Sequence, residues 1–152
     1  KTMSLFNIFN VTGSAMSAQS VRLNTTASNL ANANSVSSSI DETYRARNPV
    51  FATALADAQG DYRGNSLTNQ TQAGQAAGVK VLGIVESNDP LQVEYAPNHP
   101  MADENGYIYK PNVNTMEEMA NMISVSRSYQ TNVQVADTAK TMTQRLLRLG
   151  QG

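Results

Sequence analysis

The side chains able to do chemistry in this chain are few and scattered. Its single histidine, His99, stands between Asn98 and Pro100, and there is no cysteine. A metal site or a general base would need partner groups that no second His and no Cys can supply. His99 therefore reads as a loop histidine at or near the surface. Asp103-Glu104-Asn105 ahead of Gly106 has a trace of a calcium loop, but the repeated Asp/Asn positions and the closing Glu are missing. Adjacent carboxylates occur at Asp41-Glu42 and Glu117-Glu118. The second pair follows Asn114 and Thr115 at the spacing of a capping box, where acids satisfy the start of a helix without catalysing anything. Gly74, Gly78 and Gly83 form no phosphate-binding pattern. Convergent polar groups for an enzyme cannot be assembled from this set, so no catalytic, cofactor-binding or metal-binding residues are assigned and no cofactor is expected.

The elements that would position side chains are more informative. Leu5 to Asn34 and Thr115 to Leu149 both read as long, Pro-free amphipathic helices. In the first, Phe9, Met16, Leu23 and Leu30 recur every seventh residue, with small or polar residues at the positions four further on. That is a narrow seam rather than a broad core-facing stripe. In the second, Val135, Ala139, Met142, Leu146 and Leu149 alternate steps of four and three. Upstream, Met119, Met122, Ile123, Val125, Tyr129 and Val133 drift around the helix, which marks a change of partner or a stutter. The Met116, Met119, Met122 series reads as packing or interface, and Arg127 with Tyr129 as interface anchors or snorkelling side chains.

Between the apolar positions both ends carry Ser, Thr, Asn and Gln, indifferent helix formers with few ion pairs to help. Nucleation is costly and one seam buries little surface. The ends are expected to be largely disordered alone and helical once packed against each other and against neighbouring subunits. The alternative is a self-contained helical hairpin. The fold class expected is mainly α: a coiled-coil-like pair of terminal helices around a small β-rich or extended centre.

Composition agrees with a part meant for burial. The 152 residues carry a net charge of -1 with 15% charged residues, so there is no basic field for nucleic acid or an anionic membrane. No stretch approaches the ~18 apolar residues of a membrane span. The apolar start Leu5-Phe6-Asn7-Ile8-Phe9 is too short and interrupted for a signal peptide and reads as retained helix, with Met3 as the natural start.

The middle reads as strands and turns. Ser35 to Ser39 breaks the first helix. Tyr44 to Leu55, Val79 to Glu86 and Leu91 to Tyr95 look extended, and Gly60 to Gly78 looks like a long flexible insertion. Asn105-Gly106 ahead of Tyr107-Ile108-Tyr109 is a turn signal, with Gly supplying positive φ. The expected division is 3–34, 35–113 and 114–151.

Ser28-Asn29-Leu30-Ala31-Asn32-Ala33 resembles a motif shared by bacterial flagellar rod and hook proteins. Tyr95-x-Pro97-Asn98-His99-Pro100-x-Ala102-Asp103-x-x-Gly106-Tyr107, Pro111-Asn112-Val113, Arg127-Ser128-Tyr129-Gln130-x-Asn132-Val133 and Leu149-Gly150-Gln151 resemble the proximal-rod members of that axial family. The resemblance implies a structural subunit of the rod, the periplasm-spanning drive shaft of the basal body, exported by the flagellar type III apparatus without a cleaved signal peptide. Its implied partners are copies of itself, other rod proteins, the membrane-ring adaptor and ring proteins, and the export apparatus, with no nucleic acid and no membrane insertion. Phe9, Met16, Leu23 and Leu30 are then expected to meet Val135, Ala139, Met142, Leu146 and Leu149 within or between subunits. Asn29, Ala31 and Asn32 would mark the first helix's exit, and Arg127 and Tyr129 would add contacts. A virulence type III needle or inner-rod subunit shares paired helices but is usually shorter and lacks the centre from Tyr95 to Val113.

Overall fold

A computed structural model describes residues 5–55 and 76–149. Two long helices, α1 (Leu5–Asn32) and α2 (Thr115–Leu149), bracket four strands: β1 (Arg47–Leu55), β2 (Ala76–Glu86), β3 (Gln92–Tyr95) and β4 (Tyr107–Lys110). The helices pack against each other, and α1 also packs on the ribbon formed by β1 and β2. The strands make two separate antiparallel hairpins, β1 with β2 and β3 with β4. Most of the expected Gly60 to Gly78 insertion lies outside the described residues, but its end, from Ala76, belongs to β2. The first extended segment begins as a strand at Arg47 rather than Tyr44.

The helix pair is antiparallel. Asn29 near the end of α1 bonds Glu118 in the first turn of α2, Arg22 bonds Asn121, and Ile8 at the other end lines a groove with Val135 and Ala139. At roughly 1.5 Å per residue the 28 residues of α1 span about 42 Å and the 35 of α2 about 52 Å.

Two neighbouring lines of α1 are covered. Ile8, Thr12, Ala15, Gln19, Arg22 and Asn29 follow the helical three-four spacing along the side that meets α2. Ser14, Ala18, Val21 and Thr25 follow it along the side that meets the ribbon, where Ser14 Oγ accepts the Val79 N–H at 3.1 Å. These are mostly small residues, so the backbones approach closely but bury little apolar surface. Thr12 and Thr25 tolerate burial because each hydroxyl donates to the carbonyl four residues back, at 2.7 and 2.9 Å. The same back-bonding occurs along α2 at Ser128, Thr131, Thr138, Thr141 and Thr143. These hydroxyls are therefore paired within their own helices, whereas Gln19 Oε1 on the side of α1 that meets α2 is buried without a partner.

Asn114 caps α2: its Oδ1 accepts the Met116 N–H at 3.1 Å and its backbone carbonyl accepts the Glu118 N–H at 3.0 Å. The β1–β2 ribbon has two register shifts, between Val50 and Phe51 and between Ala54 and Leu55, each leaving an extra residue on β2. Such bulges bend and twist a two-stranded ribbon, here along α1. Close approach is enforced at Gly78, whose φ is 144° and where an added Cβ would lie 2.1 Å from Ser14 Oγ.

Candidate assembly surface and the junction behind it

The structure sorts the expected interface residues into two groups. One is partly or largely exposed on the helices. Phe9 is 36% exposed, Val135 42%, Tyr129 41%, Met142 55% and Leu146 56%, and Ala31 and Arg127 are exposed as well. Met16, Leu23 and Leu30 are half-buried. Their line is one residue, or roughly 100°, around α1 from the line that meets α2. They therefore flank the centre of the contact between the helices. Ala139 is buried against α1, and the side chain of Leu149 lies outside the described residues.

Further large apolar side chains share the outer surface. Met116 (75% exposed), Met119, Ile123 and Val133 run along α2, and Leu147 sits near its end. On the β1–β2 ribbon Val50, Phe51, Leu82, Ile84 and Val85 are exposed. Leu82 is the extra residue of one bulge, so the kink that fits the ribbon to α1 also turns a large side chain outward. Val93, Tyr95 and Tyr107 are exposed on the smaller hairpin, the two tyrosines edge to face at 5.2 Å. Large apolar patches on a protein surface mark sites of interaction.

The second group is internal and polar. Asn29 is 1% exposed, and its amide uses all four of its hydrogen-bonding positions. Nδ2 donates to the Arg47 carbonyl and to Glu118 Oε1, both at 2.9 Å. Oδ1 accepts from the Arg47 N–H and the Tyr44 hydroxyl, also at 2.9 Å each. One side chain thus joins the end of α1, the approach to β1, the first pair of the ribbon and the start of α2. Arg47 in turn pairs with Glu86 across the ribbon at 3.0 Å and lies over the Tyr44 ring at 5.4 Å. Asn32 closes the helix end locally, Nδ2 donating to the Ser28 carbonyl at 2.8 Å.

Asn112 performs the matching task on the other side. Its Oδ1 accepts the Ala46 N–H at 2.8 Å and its Nδ2 donates to the Asp89 carbonyl at 2.9 Å. The neighbouring Pro111 and Val113 are buried. Ser37 exchanges two backbone hydrogen bonds with Tyr109, both at 3.0 Å, which ties the segment after α1 to β4.

In the smaller hairpin, Asp103 Oδ1 accepts the N–H groups of Asn105 and Tyr107 at 2.9 and 2.8 Å, and Gly106 has the positive φ (83°) expected of the turn. The Tyr107 N–H holds the Asp103 carboxyl below its ordinary value, helped by Asn105, Tyr109 and Gly106 and opposed by desolvation. Lys110, bonded to Glu94 across the hairpin, lowers the Glu94 pKa. The exposed His99 accepts the Met101 N–H on Nδ1 at 3.1 Å, a loop-stabilising bond. Sequence reasoning missed Asn29 as a buried hub and Asn112 altogether as a structural residue. The available signal was an amide at the three-four spacing of small residues, facing an acid beyond the needs of a helix cap.

Among the described residues no three or more acids or histidines cluster as a metal site, and no helix is long and apolar enough to cross a membrane. Residues 9–37 match the family model described as flagella basal body rod protein. Residues 104–149 match that described as flagellar basal body rod FlgEFG protein C-terminal. The chain is similar to the flagellar basal-body rod protein FlgC of Salmonella typhimurium, at 44% identity over 98% of this chain and 100% of the relative. It is similar to that of Escherichia coli O157:H7 at the same identity and coverage. To that of Borreliella burgdorferi it is 32% identical over 99% of this chain and 100% of the relative.

Proposed function

Since the chain belongs to the family of the flagellar basal-body rod protein FlgC, whose members are structural proteins and not enzymes, we propose that it builds the proximal part of the rod. In this reading it assembles helically, with copies of itself and other rod proteins, into the shaft that crosses the periplasm, transmits torque and surrounds the export channel. The terminal helices, 3–34 and 114–151, are the tube-forming unit. The segment 35–113 hangs from it and meets the ring adaptor and ring proteins. The subunit reaches the rod through the type III export apparatus without loss of a signal peptide.

The observation that carries the reading is the division of labour on the helices. Their mutual contact is made largely by small and polar residues around Ile8, Val125 and Val135, while Phe9 on α1 and Met116, Met119 and Ile123 on α2 remain outside. Covering each such side chain is worth about 1.5–3 kcal/mol. With these residues between about a third and three-quarters exposed, roughly half of that gain is left for neighbouring subunits, whose helices would meet these lines in coiled-coil-like fashion. Contacts of this heterologous kind do not close on themselves, so partners rather than symmetry limit the length of the array.

A charge placed in that surface separates assembly from export. Leu146→Asp is expected to leave the amount of exported subunit unchanged and to remove it from purified basal bodies, with loss of motility. Incorporation equal to the parent chain would overturn the proposal.

A further inference from the structure

We infer that Asn29 and Glu118 form a register lock, which fixes how far α1 and α2 slide past each other and ties that register to the order of the β1–β2 ribbon. The inference concerns a single chain and does not depend on the rod reading.

The contact between the helices needs such a device. Along α1 it is built from Thr12, Ala15, Gln19 and Arg22, and along α2 from Asn121, Val125, Ser128, Asn132 and Ala139. A slip of one heptad would bring Asn132 or Glu118 to the place of the buried Val125 and elsewhere exchange small or polar residues for one another, so packing alone sets the register only weakly. Among the described residues no threonine or serine hydroxyl bonds from one of these helices to the other: those of Thr12, Thr25, Ser128 and Thr143 bond within their own helix, and those of Ser14 and Ser28 reach Val79 and Tyr44. The one other side-chain bond between the helices among the described residues, Arg22 Nη2 to Asn121 Oδ1, is 3.2 Å long and part-exposed.

Asn29 differs in kind. It is buried, bonds a buried carboxylate at 2.9 Å, and has no unused donor or acceptor. Any slip would strand Glu118 and one amide proton without water, a far larger penalty than the packing change. A buried polar pair that specifies register at the expense of raw stability is the best-attested use of such groups. The other three bonds run to Arg47 and Tyr44, so the pair completes only when the start of the ribbon is also in place. Register and ribbon are thereby set together, and with them the placing of the exposed residues on α2 relative to those on β2.

The chain has no cysteine, so engineered pairs report register cleanly. Ile8→Cys with Val135→Cys marks the observed register, because these residues line one groove. Ile8→Cys with Ser128→Cys or Met142→Cys marks a slip of one heptad either way. The full chain is oxidised in whole cells and the internal disulfide read as a mobility shift. Asn29→Asp removes both amide donors and sets a second carboxylate against Glu118. It is expected to lower the observed-register yield about tenfold, the change for one lost charge-assisted hydrogen bond. Adding Glu118→Gln supplies an amide donor to the new carboxylate and should restore most of the yield. An Asn29→Asp yield equal to the parent's would overturn the lock. So would a double variant no better than the single, whether or not slipped products form.

Discussion

Asparagine does most of the joining in this molecule, because one short side chain can serve two donors and two acceptors at once. Asn29, Asn112 and Asn114 each replace a backbone partner that an irregular junction cannot offer. Asp103 does similar work in its hairpin, but it is titratable. Its folded pKa is lowered, chiefly by the Tyr107 N–H, so its contribution is full above the ordinary value of 3.8 and is lost as pH falls through the lower folded value. The Gly106 and Tyr107 amide resonances should titrate below pH 3.8 in the parent and stay flat in Asp103→Asn. A midpoint above 3.8 would contradict the assignment. At this scale the local signals were legible: Gly106 has positive φ, Asn114 caps α2 and His99 is a loop residue. Asn29's partners were not, because Tyr44, Arg47 and Glu118 become its neighbours only through the fold.

At the level of elements, the helices and strands stood close to where periodicity put them. The expected second helix, Thr115 to Leu149, coincides with α2, and the first ends at Asn32, two residues early. The face of contact was less legible. A seven-residue apolar line is the strongest pattern in α1, yet small residues one position away meet α2, because they let two backbones and a ribbon crowd around one helix. That crowding makes a sharp prediction at Gly78. Gly78→Ala should destabilise the subunit by about 1–3 kcal/mol through its positive φ and the collision with Ser14. Ser14→Ala should cost about 1 kcal/mol by freeing the Val79 N–H. The double variant should be more stable than the sum of the two losses, as read from denaturant unfolding, since the collision is then relieved. Strict additivity would show that the two residues do not touch.

Across the whole molecule, a polar interior junction holds three units in fixed relation while large apolar residues face outward on each of them. Ser37 to Tyr109, Asn29 to Arg47 and Asn112 to Ala46 anchor the hairpins to the helix pair. The exposed Met116, Ile123, Leu146 and Leu82 are then presented as one rigid pattern. A free chain has no use for that arrangement, and a subunit with neighbours on several sides does. The most direct test is burial in the assembled state. Ile123→Cys and Leu146→Cys, each introduced into the cysteine-free chain, should react readily with a maleimide in the purified subunit and become protected in intact basal bodies. Ser38→Cys, at an exposed polar site, controls for labelling conditions in the free subunit. Protection of Ile123→Cys and Leu146→Cys by tenfold or more, on the order expected for side chains withdrawn from water, is the predicted result. Equal labelling of both in the subunit and in the basal body would contradict the claim that these side chains form the assembly surface.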